Sequence, residues 1–289
     1  MQSNTTVAGF ILMTTATTLV AQQAETLRVN DPRPVLQAVL EIERRYGTPI
    51  NYEDLRYEFS NDVEDVTDSV LTPQQRNLAD PKKRILVPRQ RSIEVAIGSR
   101  SVAPWQPDPA AALAAARAAA TAASDAATSF VVTEANGSIF VAGIRSRDAS
   151  GKSQTYAPAL STPVTLAAGP RTALESLISI VKQVSERSGY RIELGTVPVR
   201  MLAESEVNVL ASNEAASFVV DRLLRGLPLS PSVSSANGRS TISYQLLFDP
   251  RSRVYALNIS AAFQGAASPE AGSGLVERRS SPDRFFRKN

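Results

Sequence analysis

The chain has 289 residues, with 31 Lys and Arg against 28 Asp and Glu, and it contains neither His nor Cys. That composition excludes a Ser-His-Asp triad, imidazole or thiolate metal ligands, a thiol nucleophile and a disulfide framework, so stability must come from packing. A net charge of +3 is too small at this length to mark a nucleic-acid surface, and no nucleic-acid partner is expected.

Met1 to Ala24 carries no charged side chain, although every Lys, Arg, Asp and Glu lies beyond it. Val7 to Val20 is an apolar run diluted by Thr14, Thr15, Thr17 and Thr18, shorter than the roughly 20 residues a membrane span needs. Residues 1–24 therefore read as a secretory signal, cleaved after Ala21 or Ala24, with an N-terminal anchor as the competing reading. Export to the periplasm or beyond is expected, with no integral membrane span after processing.

The mature chain opens on a strand around Thr26 to Val29. Asp31 and Pro32 then offer a helix start, and Val35, Ala38, Val39 and Ile42 recur at helical spacing. Tyr46-Gly47 ends that helix, and Ile50 to Tyr52 forms the next strand. An insertion over residues 57–91 follows. Its surroundings are acidic first (Glu53, Asp54, Glu58, Asp62, Glu64, Asp65, Asp68) and basic afterwards (Arg76, Lys82, Lys83, Arg84, Arg89, Arg91, Arg100). This predicts a solvated loop whose halves attract weakly. A calcium site from Asp62, Glu64, Asp65 and Asp68 is the sharper reading, but the turn Gly and closing Glu of a calcium loop are missing.

Ile85 to Val87 and Ile93 to Ile97 have strand composition. Trp105 lies in a Pro-bounded connection, either packed on a domain surface or available to stack on a ligand. Asp108-Pro109 starts a helix in which thirteen of the eighteen residues from Ala110 to Ala127 are alanine. With Leu113 as its one large anchor, it should lie close to a sheet. Asn136-Gly137 between Phe130 to Thr133 and Ile139 to Ala142 is a hairpin signal. Residues 25–145 thus form a first module, and the Ser/Gly/Pro-containing residues 146–161 read as a linker.

Residues 162–262 repeat the order of elements. Pro170 can occupy a first helical turn, and Leu174, Leu177, Ile178, Val181 and Val184 mark one helix face. Gly189 caps that helix, and Tyr190, Ile192 and Leu194 alternate with Arg191 and Glu193 as a strand. Val207 and Val209 offer another strand, Ser212 or Asn213 can cap a helix through Leu224, and a hairpin turns at Asp249-Pro250-Arg251. Residues 263–289 are Gly-, Ser- and Pro-rich, end in basic residues and read as a disordered tail.

"PRPVLQAVLEIERRYGTPINYED" and "PRTALESLISIVKQVSERSGYRIELG" resemble the helix-then-strand core of the short N-terminal domain shared by bacterial secretins and TonB-dependent transporters. With "DVEDVTD", "ILVPR", "GTVPV" and "YQLLFDPRSRVYALNI", the chain is also similar to an uncharacterised family of exported bacterial proteins. The resemblance implies protein binding at the cell envelope and identifies no reaction.

The fold class expected is α+β: two related modules, each a small mixed sheet with helices on one face, ending in a hairpin. Ser179 and Lys182 have nucleophile spacing but lack companion motifs, and Gly137, Gly143 and Gly151 are too dispersed for a phosphate loop. The reading is a non-catalytic envelope binding or assembly component that acts through strand edges, with a protein partner and no cofactor or metal. Its surface would be built on Ile50 to Tyr52 and Ile192 to Leu194, with Tyr52, Tyr57, Tyr190 and Trp105 as contacts. The alternative is an envelope carbohydrate-active enzyme or carbohydrate-binding protein using Glu53, Asp54, Tyr57 and Trp105, although adjacent strand residues face opposite ways.

Overall fold

The structure, a computed structural model, describes residues 25–72, 84–100, 102–103, 106–227 and 240–263. The signal segment, the basic tail, Trp105 and the insertion after Leu227 lie outside these residues. The described chain is α+β. Among the described residues no helix is long and apolar enough to cross a membrane.

The first half runs β1 (Glu25–Asp31), α1 (Pro34–Tyr46), β2 (Ile50–Glu53), β3 (Val63–Asp65), α2 (Thr67–Val70), β4 (Leu86–Pro88), β5 (Arg91–Ile97), α3 (Pro109–Ala123), β6 (Ser129–Ala135) and β7 (Ser138–Arg147). After β8 (Ser153–Thr155) and a 3-10 turn (Ala159–Ser161), the second half runs β9 (Pro163–Leu166), β10 (Arg171–Thr172), α4 (Ala173–Ser188), β11 (Ile192–Leu194) and α5 (Val199–Glu204). It continues through β12 (Glu206–Val207), β13 (Ala211–Ala215), α6 (Ala216–Arg225), β14 (Ser240–Asp249) and β15 (Val254–Phe263).

Local chemistry explains most boundaries. Gly47 and Gly189 end α1 and α4 in the left-handed region, at φ 63° and 75°. The Asp108 side chain accepts the Ala111 N–H at 3.1 Å to open α3. Thr172 and Glu175 form a reciprocal capping box on α4, so the helix starts at Ala173 rather than at Pro170. Asn136 and Gly137, at φ 52° and 75°, make the expected tight turn. Six alanines of α3 are buried, and their small side chains let the helix approach α1 and the sheet closely.

Two helical readings change. Ile178 is 50% exposed, while Ile180 is buried with Leu177, Val181 and Val184. At 100° per residue the buried Ala173, Ser176, Leu177, Ile180, Val181 and Val184 share one arc with Ile180 near its middle, and Ile178 falls outside it. The stretch read as the cap of the last helix is strand β13, and α6 begins at Ala216 without a side-chain cap.

The two halves repeat one topology. β1 pairs with β5 and β9 with β13, both antiparallel. β2 is parallel to β7, as β11 is to β15, and β6–β7 and β14–β15 are antiparallel hairpins. The halves share one seven-stranded sheet in the order β11-β15-β14-β2-β7-β6, with β8 on the end of β7. The junction is β14 parallel to β2, pairing Gln245 with Tyr52 and Leu246 with Glu53.

Strand directions relate the halves by a half-turn about an axis lying across the strands in the sheet plane, so their helices cover opposite faces. Ile50, Tyr52, Ile139, Val141 and Leu247 pack under α1, α3 and the β1–β5 ribbon. Phe140, Leu246, Phe248, Tyr255 and Leu257 pack under α4, α6 and the β9–β13 ribbon. The segment read as a linker is therefore part of the fold. It holds β8 and a 3-10 turn whose Ala159 and Leu160 are buried in the second core.

Candidate functional site

β2 is a central strand, which corrects its reading as a binding edge. Its pattern of apolar Ile50 and Tyr52 against polar Asn51 and Glu53 looks half-solvated, yet all four are buried. The polar residues are buried because each is fully engaged by a neighbouring element.

At the end of β2, Asp54 collects the surrounding donors. Its Oδ1 accepts the Tyr52 hydroxyl at 2.9 Å, the Tyr57 hydroxyl at 3.2 Å and the Leu55 N–H at 3.0 Å. Its Oδ2 accepts Arg33 Nε at 2.6 Å and the Phe248 N–H at 3.4 Å. Arg33 Nη2 also donates to the Phe248 carbonyl at 2.7 Å. Burial works against the charge on Arg33, but the Asp54 carboxylate holds its pKa above the ordinary value. Burial, with Asp54 adding to it, raises the phenols of Tyr52 and Tyr57 well above theirs.

Glu53 points to the other face. Its carboxylate accepts the N–H groups of Ala159 and of Leu160, the latter at 3.1 Å. Burial pushes its pKa up to about 7 against the two N–H bonds and Arg56, which favour the charge. Lower on the same face, Asn51 Nδ2 and Ser138 Oγ donate to Asp221 Oδ1 at 2.9 and 2.7 Å. Arg225 closes that group at 2.6 Å on Asp221 Oδ2.

Among the proposed contacts, Tyr52 is buried and Tyr57 half-buried, both on Asp54. Tyr190 is half-buried against Tyr255, ring centroids 5.9 Å apart. The Arg56 guanidinium lies between the Tyr156 and Tyr190 rings at 3.8 and 3.9 Å, a cation–π sandwich. These side chains knit the loop after β2 to the second half and the connection. The Glu53 and Asp54 carboxylates, weighed as a pair for glycoside chemistry, are engaged by backbone and side-chain donors on opposite faces. In the insertion, β3 pairs with β4, which brings Asp65 to 3.6 Å from Arg84. Asp62 is paired with Arg147 at 2.6 Å, so the acidic cluster is divided rather than gathered around one cation.

The seven-stranded sheet ends in two edge strands, β6 and β11. Equivalent registers align the halves: Ile139 N donates to Pro49 O at 3.2 Å as Tyr255 N does to Arg191 O at 2.9 Å. Phe130, Val132 and Glu134 on β6 thus match Tyr244, Leu246 and Phe248 on β14. On β14 these positions face β2 and are satisfied there. Asn51 Oδ1 accepts the Tyr244 N–H at 3.1 Å, and the Asp54 N–H reaches Leu246 O at 2.9 Å. Asp54 and Arg33 take the N–H and carbonyl of Phe248. On β6 the matching groups point away from β7, because Ala135 and Ser138 flank the two-residue turn as a bonded pair. Among the described residues nothing hydrogen-bonds to them. Val131 is 36% exposed, and Thr133 and Glu134 are exposed.

The β11 end is closed differently. Ser185 Oγ accepts the Ile192 N–H at 2.9 Å and lies 3.4 Å from the Ile192 carbonyl, and Asn258 Oδ1 accepts the Thr196 N–H at 2.6 Å. No family model, curated protein or solved structure matches this chain.

Proposed function

We propose that this chain is a non-catalytic binding or assembly component, exported to the bacterial cell envelope, which receives an extended strand on β6. The observation that carries the reading is the contrast between equivalent edges: β14 is completed by β2, while the same positions on β6 keep their outward N–H and C=O groups. An open strand of seven residues with apolar side chains is a template for strand addition, in which backbone bonds supply affinity and side chains select the partner. Export rests on the uncharged segment before Glu25 and on the resemblance to the short N-terminal domain of secretins and TonB-dependent transporters.

The test is photo-crosslinking in the envelope from a probe at Thr133, with a probe at the exposed Ile178 as the control. A discrete protein adduct is expected from Thr133 alone, lost in Val132→Pro. That proline removes an outward N–H, which an edge strand tolerates, and replaces a side chain only partly buried against the first core. An adduct that persists in Val132→Pro, or none at all, refutes the reading.

A further inference from the structure

Resting on that reading of β6, we infer that the partner strand is β6 of a second copy, paired antiparallel about a two-fold axis through Val132. The chain already joins two copies of one topology edge to edge, so edge pairing between such units is an interaction this architecture makes. Repeating the internal junction between molecules would place β6 against β11 of the next copy and propagate without closing. That route is obstructed. Ser185 occupies both outward groups of Ile192, and Asn258 occupies the Thr196 N–H, the counterpart of the Asp54 N–H that bonds β14. Three side chains of the first half that hold β14 are also replaced in the second: Asn51, Asp54 and Glu43, whose carboxylate accepts the Ser243 hydroxyl at 3.1 Å, correspond to Glu193, Thr196 and Ser185.

Self-pairing of β6 has one register that uses every outward residue. Centred on Val132, it sets Val132 against Val132 and Phe130 against Glu134 of the other copy. Three pairs exchanging two bonds each give about six backbone hydrogen bonds. No like charges stand opposite each other, since Glu134 meets Phe130. The axis stands perpendicular to the sheet, so both α3 helices fall on the same face and the sheet continues through the dimer. An edge of seven residues, about 23 Å long, places the contact in the small, weak class of interfaces. The assembly closes at two copies because a two-fold contact uses the same edge on both.

The experiment uses the full mature chain. Sedimentation across a wide concentration range should show a reversible monomer–dimer equilibrium and no larger species, and Val132→Pro, checked for an unchanged melting curve, should stay monomeric. Because the chain has no cysteine, single substitutions report the register. Val132→Cys should form a disulfide-linked dimer on mild oxidation, since bonded antiparallel pairs have Cα atoms about 5.5 Å apart, within disulfide reach. Phe130→Cys or Glu134→Cys alone should not, while their equimolar mixture should. A monomer at every concentration, a dimer indifferent to Val132→Pro, or oxidation without position dependence overturns the inference. A monomer in solution that still gives a Val132→Pro-sensitive adduct to a different envelope protein overturns self-pairing and leaves the β6 acceptor standing.

Discussion

The Glu53 carboxylate accepts the Leu160 N–H at 3.1 Å, binding the last residue of a central strand in the first half to the turn that leads into the second. Its pKa rises from 4.5 unfolded to about 7 folded, so between those values the folded chain keeps a proton that the unfolded chain has lost. The sign follows: the contribution of Glu53 is full below pH 4.5 and is lost as pH rises through 7. At 1.36 kcal/mol per unit, the loss is about 3 kcal/mol. Urea midpoints should fall from pH 5 to pH 8, and in Glu53→Gln that fall should flatten. An equal slope in both proteins would rule Glu53 out as its source.

Asp221 ties α6 to the first half through Asn51 and Ser138. Removing it leaves two buried donors and part of Arg225 without an acceptor. Asp221→Ala should therefore cost about 2–4 kcal/mol, and Asp221→Asn less, because one acceptor oxygen remains. Both follow from urea denaturation; a change within the ordinary surface range of about 0.5 kcal/mol would show that the halves do not depend on this group.

Asp54→Ala strands the Arg33 charge, two tyrosine hydroxyls and the Phe248 N–H, for an expected loss of about 3–5 kcal/mol. The paired replacement Arg33→Met with Asp54→Leu should cost less than Asp54→Ala alone, because the isolated charge goes with its partner. If the double variant is the weaker of the two, the single-charge penalty is not what Asp54 relieves.

These groups also mark where sequence reading ended. Period and punctuation carried far: Gly47, Gly189, Asp108 and Asn136-Gly137 act as local chemistry dictates, and the repeated order of elements is present. Those signals are local. Whether Asn51, Glu53 and Asp54 face water or a neighbouring strand depends on β14, nearly two hundred residues away, and an alternating strand reads alike in both cases. The short β13 and α5 lacked β-branched or leucine periodicity of their own, and tertiary pairing decides them. The connection looked like a linker because it contains Ser, Gly and Pro, while the backbone N–H groups that bind Glu53 leave no mark in a sequence.

On α4, Leu177 is fully buried and Ile178 half exposed. Leu177→Asp places an unpaired carboxylate in the second core and should cost several kcal/mol, comparable with a total stability of about 5–15 kcal/mol. Ile178→Asp should stay near zero. Matching melting curves for the two variants would mean the buried face is misassigned.

The continuous sheet makes a last prediction about the connection. The turn after β7 is exposed at Ala149 and Ser150, so a protease site inserted between them should be cut without disturbing β7 or β8. Cutting there breaks the chain but none of the β14–β2 pairing, the Asp221 group or the Asp54–Arg33–Phe248 contacts that join the halves. The fragments should co-elute in native gel filtration and separate only in denaturant. The cut protein should also melt at a lower temperature than the intact chain, because unfolding now releases two chains and gains their translational entropy. Separation in native buffer would mean that the covalent connection, rather than the shared sheet, holds the halves together.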